Sequence, residues 1–153
     1  MDTTQSNALS TNHYDYKTEK TVVALATSLD LGAAMNVVGH LAISLGARSD
    51  KVLMGREWLV DASGIRHRGI SKYPVIITRV KQGRLRKLLH DARLLEDLFV
   101  ADFPEQMLHT GHDDELASAL EKLPEESINY LGVLIHGAAE CVSSLTGKFQ
   151  LWA

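Results

Sequence analysis

The chain has one cysteine, Cys141, in 153 residues. No intrachain disulfide can form and no thiolate metal cluster can be built. A disulfide-stapled secreted domain is excluded, and a reducing, cytoplasmic setting is expected. Cys141 follows the apolar run from Leu131 to Ala139, so it is expected to be a buried, inert thiol. Long hydrophobic runs are also lacking. Nothing approaches the roughly 20 apolar residues that cross a bilayer, so no membrane is expected as a partner. The opening MDTTQSNALSTNHYDYKTEK has no charged region followed by an apolar stretch, and does not read as a secretory signal. There is no basic excess. Sixteen Lys+Arg against 19 Asp+Glu give a net charge of -3, which argues against a domain whose main work is gripping phosphate backbones. A GxGxxG loop, an HExxH pair and a GxSxG elbow are all missing. Nucleotide-phosphate cradling, zincin chemistry and an α/β-hydrolase triad therefore have no motif behind them.

What is present is ordinary globular composition, 45% apolar and 23% charged. A chain of this size buries roughly 68–70% of the surface its unfolded form exposes, enough for one self-sufficient core. Residues 1–18 are polar and aperiodic and read as a flexible tail. Residues 19–153 read as a single α/β domain. Thr21–Thr27 is a short β-branched run, a strand buried on both faces. After the turn Ser28–Gly32, Ala33–Leu45 reads as a helix ended by Gly46 and apolar nearly all round, which implies burial on several sides. Trp58–Asp61 and Ile65–His67 flank the hairpin turn Ala62-Ser63-Gly64. Pro74–Val80 is a further strand. Leu85, Leu88, Leu89, Ala92 and Leu95 recur at helical spacing and predict an amphipathic helix over 82–97. Leu98–Phe103 and Asn129–His136 read as strands, and Ala138–Leu145 as a helix.

Four constellations carry possible chemistry. In open α/β sheets ligands sit in a crevice at the carboxyl ends of parallel strands. Here that edge offers Ser28 and Asp30 beside a helix start with free N–H groups. Asn36, His40 and Ser44 lie at i, i+4 and i+8 and share one helix face. His40 suits acid–base work. Asp102 and His136 sit near the ends of two predicted strands and converge on one crevice if those strands are neighbours. His109-Thr110-Gly111-His112-Asp113-Asp114-Glu115 resembles a metal cluster by composition, but it lies in a polar connection without ligand spacing. It reads as a solvated loop in which Asp113 or Asp114 caps a helix, so no metal is expected.

Charge is unevenly spread. Residues 78–93 hold six basic residues and one acid, and residues 94–153 hold two basic and eleven acidic residues. The basic group Arg79, Lys81, Arg84, Arg86, Lys87 and Arg93 is either the solvated face of a surface helix or a contact for an acidic partner, including a second copy.

The segment Tyr130–Gly137, followed by Leu145-Thr146-Gly147-Lys148-Phe149-Gln150-Leu151, is similar to the end of peptidyl-tRNA hydrolase II proteins. Those finish with a strand, a glycine turn, a helix and a V-T-G-x-L-x-L-like tail. Val22–Ile43, with the turn Leu29-Asp30-Leu31-Gly32, looks like their first strand, turn and helix. More closely, about Lys20 to Trp152 resembles a bacterial family of unknown function, DUF2000. The segments behind this are Leu31–Asn36, Ser44–Gly46, Asp61–Gly64, Gly69-Ile70, Pro74 and the Y-L-G and L-T-G motifs. The resemblance implies a three-layer α/β/α sandwich with a mixed sheet, peptidyl-tRNA hydrolase II-like. It also implies departures. The hydrolase's lysine places are Ala33 and Met35 here, its glutamine place is Gly39 and its histidine place is Ala42. Asp102 and Gln106 only loosely echo its Asp…Thr-Gln motif. The resemblance supports the fold and speaks against tRNA as a substrate.

The resulting expectation is a domain that binds a small polar ligand in a strand-end crevice of Ser28, Asp30, Asn36, His40, Asp102 and His136, without cofactor and without peptidyl-tRNA hydrolysis. A hydrolase using His40 or His136 as base, with Asp102 orienting it, is the second reading. A self-associating module, with a dimer favoured and the tail Phe149, Leu151 and Trp152 contributing, is the third.

Overall fold

A computed structural model describes residues 17–153. Of the expected tail, residues 1–16 lie outside the described residues. Thr18 is already tied to the fold, its carbonyl accepting from the Ala139 amide at 2.8 Å. The strands are β1 (Glu19–Ala26), β2 (Trp58–Val60), β3 (Arg66–Arg68), β4 (Val75–Val80), β5 (Phe99–Pro104), β6 (Tyr130–Ala138) and β7 (Gln150–Leu151). The α-helices among the described residues are α1 (Leu31–Arg48), α2 (Gln82–Arg93), α3 (Asp113–Leu120) and α4 (Ala139–Thr146).

Five strands form one mixed sheet in the order β5-β6-β1-β4-β7. β1 runs parallel to β4 and antiparallel to β6; β5 is antiparallel to β6, and β7 to β4. β1 is central, and successive residues point to opposite sides. Val23 and Leu25 pack with Ala34, Val37, Leu41 and Leu45 of α1. Val22, Ala24 and Ala26 pack with Leu85, Leu88 and Leu89 of α2 and Val142 of α4. This double burial is why β1 reads as a continuous apolar run rather than an alternating one. Gly132 in β6 is needed where α1 crosses, since a Cβ there would lie 2.5 Å from the Val37 Cγ1.

Four sequence expectations change. First, α1 passes through Gly46 to Arg48. The left-handed step that ends a helix is taken by Asp50 and Lys51, at φ 47° and 65°, not by Gly46. This helix buries only one stripe, Ala34, Val37, Leu41 and Leu45, and leaves Met35 66% and Ile43 72% exposed. Its apolar composition therefore does not mean burial on several sides. Second, α2 stops at Arg93, because Leu94 and Leu95 donate to Asp91 and Ala92 in a tightened last turn. Third, Cys141 is exposed. α4 turns Val142 and Thr146 inward, which leaves position 141 facing out. Fourth, α3 is capped by the ring of His112, which accepts from the Glu115 amide at 3.4 Å, while Asp113, Asp114 and Glu115 fill the first turn near the positive end of the helix dipole.

The excursion between α1 and β4 carries a separate two-stranded sheet, β2 paired with β3. Its turn forms as the sequence implies. Gly64 takes φ 80°, and the Asp61 carboxylate accepts from the Ser63 and Ile65 amides at 2.8 and 3.0 Å. Every residue of both strands is exposed.

Candidate functional site

α1 lies on the sheet with β5 on one flank and the β4–β7 edge on the other. The second flank holds a cleft of about 440 Å³. Leu31, Met35, Val38 and Gly39 form its helix wall, and Ile77 and Trp152 its sheet wall. Trp152 is held there by its amide, which donates to the Ile77 carbonyl at 3.0 Å as β7 extends the sheet. Leu31, Met35 and Gly39 recur every four residues, so a single helix face supplies the wall. At Gly39 the wall is bare backbone, and a Cβ built there would meet nothing within 4 Å.

Ser28 and Asp30 belong to the strand-end turn that joins two lining residues, Leu25 and Leu31, and do not themselves line the cleft. Both are exposed. The Asp30 carboxylate caps α1 by accepting from the Ala33 amide at 2.8 Å. The polar stripe lies on the other flank. Asn36 and His40 are exposed there, and the His40 ring sits 5.8 Å from the ring of Phe103 in β5.

Asp102 and His136 are on neighbouring strands but do not converge. Asp102 is in register with Val133, three residues along β6 from His136. It also faces the α2 side, where its carboxylate accepts from the Arg93 guanidinium at 3.1 Å. Burial pushes the Asp102 carboxyl up, with Arg93 pulling the other way. In the same region the Tyr130 hydroxyl donates to Glu125 at 3.0 Å, and burial and that carboxylate raise the phenol.

His136 faces the α1 side at the opposite end of β1 from the turn, paired with Thr21. Its Nδ1 lies 2.9 Å from the Thr21 hydroxyl, and its Nε2 lies 3.5 Å from Glu19. Burial lowers its pKa, while Glu19 opposes the shift. A hydroxyl, an imidazole and a carboxylate in line have the connectivity of a nucleophile, base and orienter. Thr21, however, is 3% exposed in the central strand, so a substrate carbonyl has no approach to it. The same three groups account for a local role, fixing the ends of β1 and β6.

Residues 19–153 match the family model for proteins of unknown function called DUF2000. The chain belongs to the DUF2000 family. Among solved structures, this DUF2000 chain is similar to a protein of unknown function, Atu0240, from Agrobacterium tumefaciens strain C58. The TM-score is 0.77 at 23% identity over 88% of this chain and 98% of that one. At that identity the likeness speaks to the fold. No curated protein matches the chain.

Among its described residues, the DUF2000 chain has no group of three His, Cys, Asp or Glu placed to hold a metal ion. None of its described helices is long and apolar enough to cross a membrane. The cleft-lining residues were not marked as a site by sequence reasoning, because apolar side chains on a helix read as core. The usable signal was the i, i+4, i+8 stripe Leu31, Met35, Gly39, lying beside the buried stripe rather than within it.

Proposed function

We propose that this DUF2000 domain binds a small amphipathic ligand, its apolar body in the cleft between α1 and Trp152 and its polar group at the Ser28–Asp30 turn. The observation that carries this is the identity of the α1 wall. Met35 and Gly39, the residues at the places where peptidyl-tRNA hydrolase II proteins carry a lysine and a glutamine, line the cleft. A thioether and a bare backbone cannot hold a phosphate or polarise an ester, but they do receive apolar surface. The reading takes the domain as a three-layer α/β/α arrangement of the hydrolase II type, cytoplasmic, with the ligand site kept and tRNA hydrolysis lost. Helices packed on both faces of the mixed sheet support the three layers. Of the six expected site residues, this reading keeps Ser28 and Asp30, on the turn between Leu25 and Leu31, as partners for the polar group. Asn36 and His40 flank the helix outside it. Asp102 and His136 act in local ion pairs and hydrogen bonds. A hydrolase built on His40 or His136 with Asp102 has no comparable juxtaposition behind it.

The test is equilibrium binding of 1-decanol and decanoate to the full chain and to Gly39→Leu. Saturable binding in the parent, lost in Gly39→Leu with the fold intact, is expected. Binding that survives Gly39→Leu, or no binding to the parent, sinks the reading.

Self-association is a second reading, favoured by the apolar surface of the hairpin region. Val60, Ile65 and Ile70 are all exposed there, more than a lone solvated hairpin needs. Sedimentation velocity over a dilution series decides it. A dimer that dissociates on dilution is expected, and a monomer at every concentration rejects this second reading.

A further inference from the structure

The excursion between α1 and β4 holds a second concavity, about 300 Å³, at the base of the hairpin. Its character is opposite to that of the α1 cleft. Lys51, Arg56 and Arg68 line it, with Glu57 the one carboxylate among the lining residues. Local backbone geometry brings them together. Lys51 is the second of two consecutive left-handed residues, Asp50 and Lys51, and the Met54–Ser71 bridge closes the base. Gly69 donates its amide to the Glu57 carbonyl at 3.0 Å. A Cβ at Gly69 would fall 1.6 Å from the Arg56 carbonyl oxygen. Only glycine permits this approach, which sets Arg56 and Arg68 at one mouth.

Arg68 is held in place. Its guanidinium carbon lies 3.7 Å from the centre of the Trp58 ring, and one of its N–H groups donates to Glu57 at 3.0 Å. The side chains of Lys51 and Arg56 make no hydrogen bond or ion pair with other described residues. Three cations thus meet one carboxylate, and the lining carries two positive charges without partners. A planar guanidinium already immobilised by stacking presents its remaining donors in the fork that a phosphate accepts. Met54 adds apolar surface to the lining, and Trp58 backs the Arg68 guanidinium.

The geometry points to a binding site for a phosphate monoester, its dianion between Lys51, Arg56 and Arg68 and its organic part against Met54. The dianion matches the two uncompensated charges. The volume admits a small phosphorylated molecule and is too small to require a macromolecule. This site is separate from the α1 cleft and does not rest on it.

Titration calorimetry on the full chain at low salt and neutral pH tests the assignment with phenyl phosphate, inorganic phosphate and benzoate. Phenyl phosphate binds one to one, inorganic phosphate binds more weakly, and benzoate, a monoanion, gives no heat. Arg56→Gln and Lys51→Gln each weaken phenyl phosphate by about tenfold, the scale of one charge-assisted contact. Lys148→Gln and Gly39→Leu leave it unchanged. Affinity falls between about pH 7 and about pH 5 as the ligand takes up its second proton, with a pKa near ~6. Any of four results overturns the assignment. One is no heat with phenyl phosphate while circular dichroism shows an intact fold. The second is equal affinity in Arg56→Gln. The third is benzoate binding as tightly as phenyl phosphate. Loss of binding in Gly39→Leu moves the ligand to the α1 cleft and also overturns it.

Discussion

Ile135 in β6 and Val60 in β2 are both β-branched residues in strands. Ile135 is fully buried and Val60 is 64% exposed. The contrast extends to their surroundings. β6 lies between two paired strands and under helices on both faces. β2 pairs only with β3, and a two-stranded hairpin is marginal in water without further packing. Each region also has its own concavity, apolar beside α1 and basic at the hairpin base. Similar residue types thus serve a rigid frame in one region and an accessible surface in the other. What decides is the number of packing layers, not the propensity of the strand.

The contrast is broken most directly by truncating each partner. Ile135→Ala is expected to cost about 2–5 kcal/mol in urea unfolding, from lost transfer energy and a cavity that the packed sheet cannot close. Val60→Ala is expected to stay within about 0.5 kcal/mol, as at an exposed site. Comparable costs at the two positions would show the hairpin to be covered. Overpacking the frame comes next. Gly132→Ala places a methyl against Val37 and is expected to cost about 1–3 kcal/mol. A smaller effect, of opposite sign, marks the cleft. Gly39→Ala adds a Cβ into open space within α1 and is expected to stabilise by about 0.5–1 kcal/mol. Destabilisation there would mean the cleft wall is already in contact.

The smallest expected effect concerns pH. Burial holds the His136 pKa below its ordinary 6.5. As pH falls, the unfolded chain takes up this proton first, so stability declines through about 6.5 and the loss is complete below the folded pKa. Thermal melts from about pH 7.5 to about pH 5 should therefore fall less steeply for His136→Gln than for the parent. Equal slopes would show that His136 does not contribute.

Much of the frame was legible in the sequence. The β-branched run of β1, the Leu85–Ala92 stripe of α2 and the Asp61–Gly64 turn each carry a local signal, and each forms nearly where it points. β7 was not legible. Gln150 and Leu151 become a strand only because β4 leaves an open edge beside them. The site was harder still. Asn36 and His40 stand out as polar residues on an apolar helix, yet they lie on the flank away from the cleft. Which face Asp102 or His136 takes depends on strand register, and register depends on the whole topology. Apolar lining and a glycine gap look like core until the neighbouring wall, Trp152, is in place.

The central claim is that the α1 cleft receives a ligand. Replacing Trp58 by Phe leaves Trp152, in the cleft wall, as the single tryptophan of the two in the chain. Its fluorescence, titrated with 1-decanol, then reports on the cleft alone. A saturable change in the Trp58→Phe chain, abolished by adding Gly39→Leu, is the predicted result. An unsaturable drift, or the same curve with Gly39→Leu present, would contradict it.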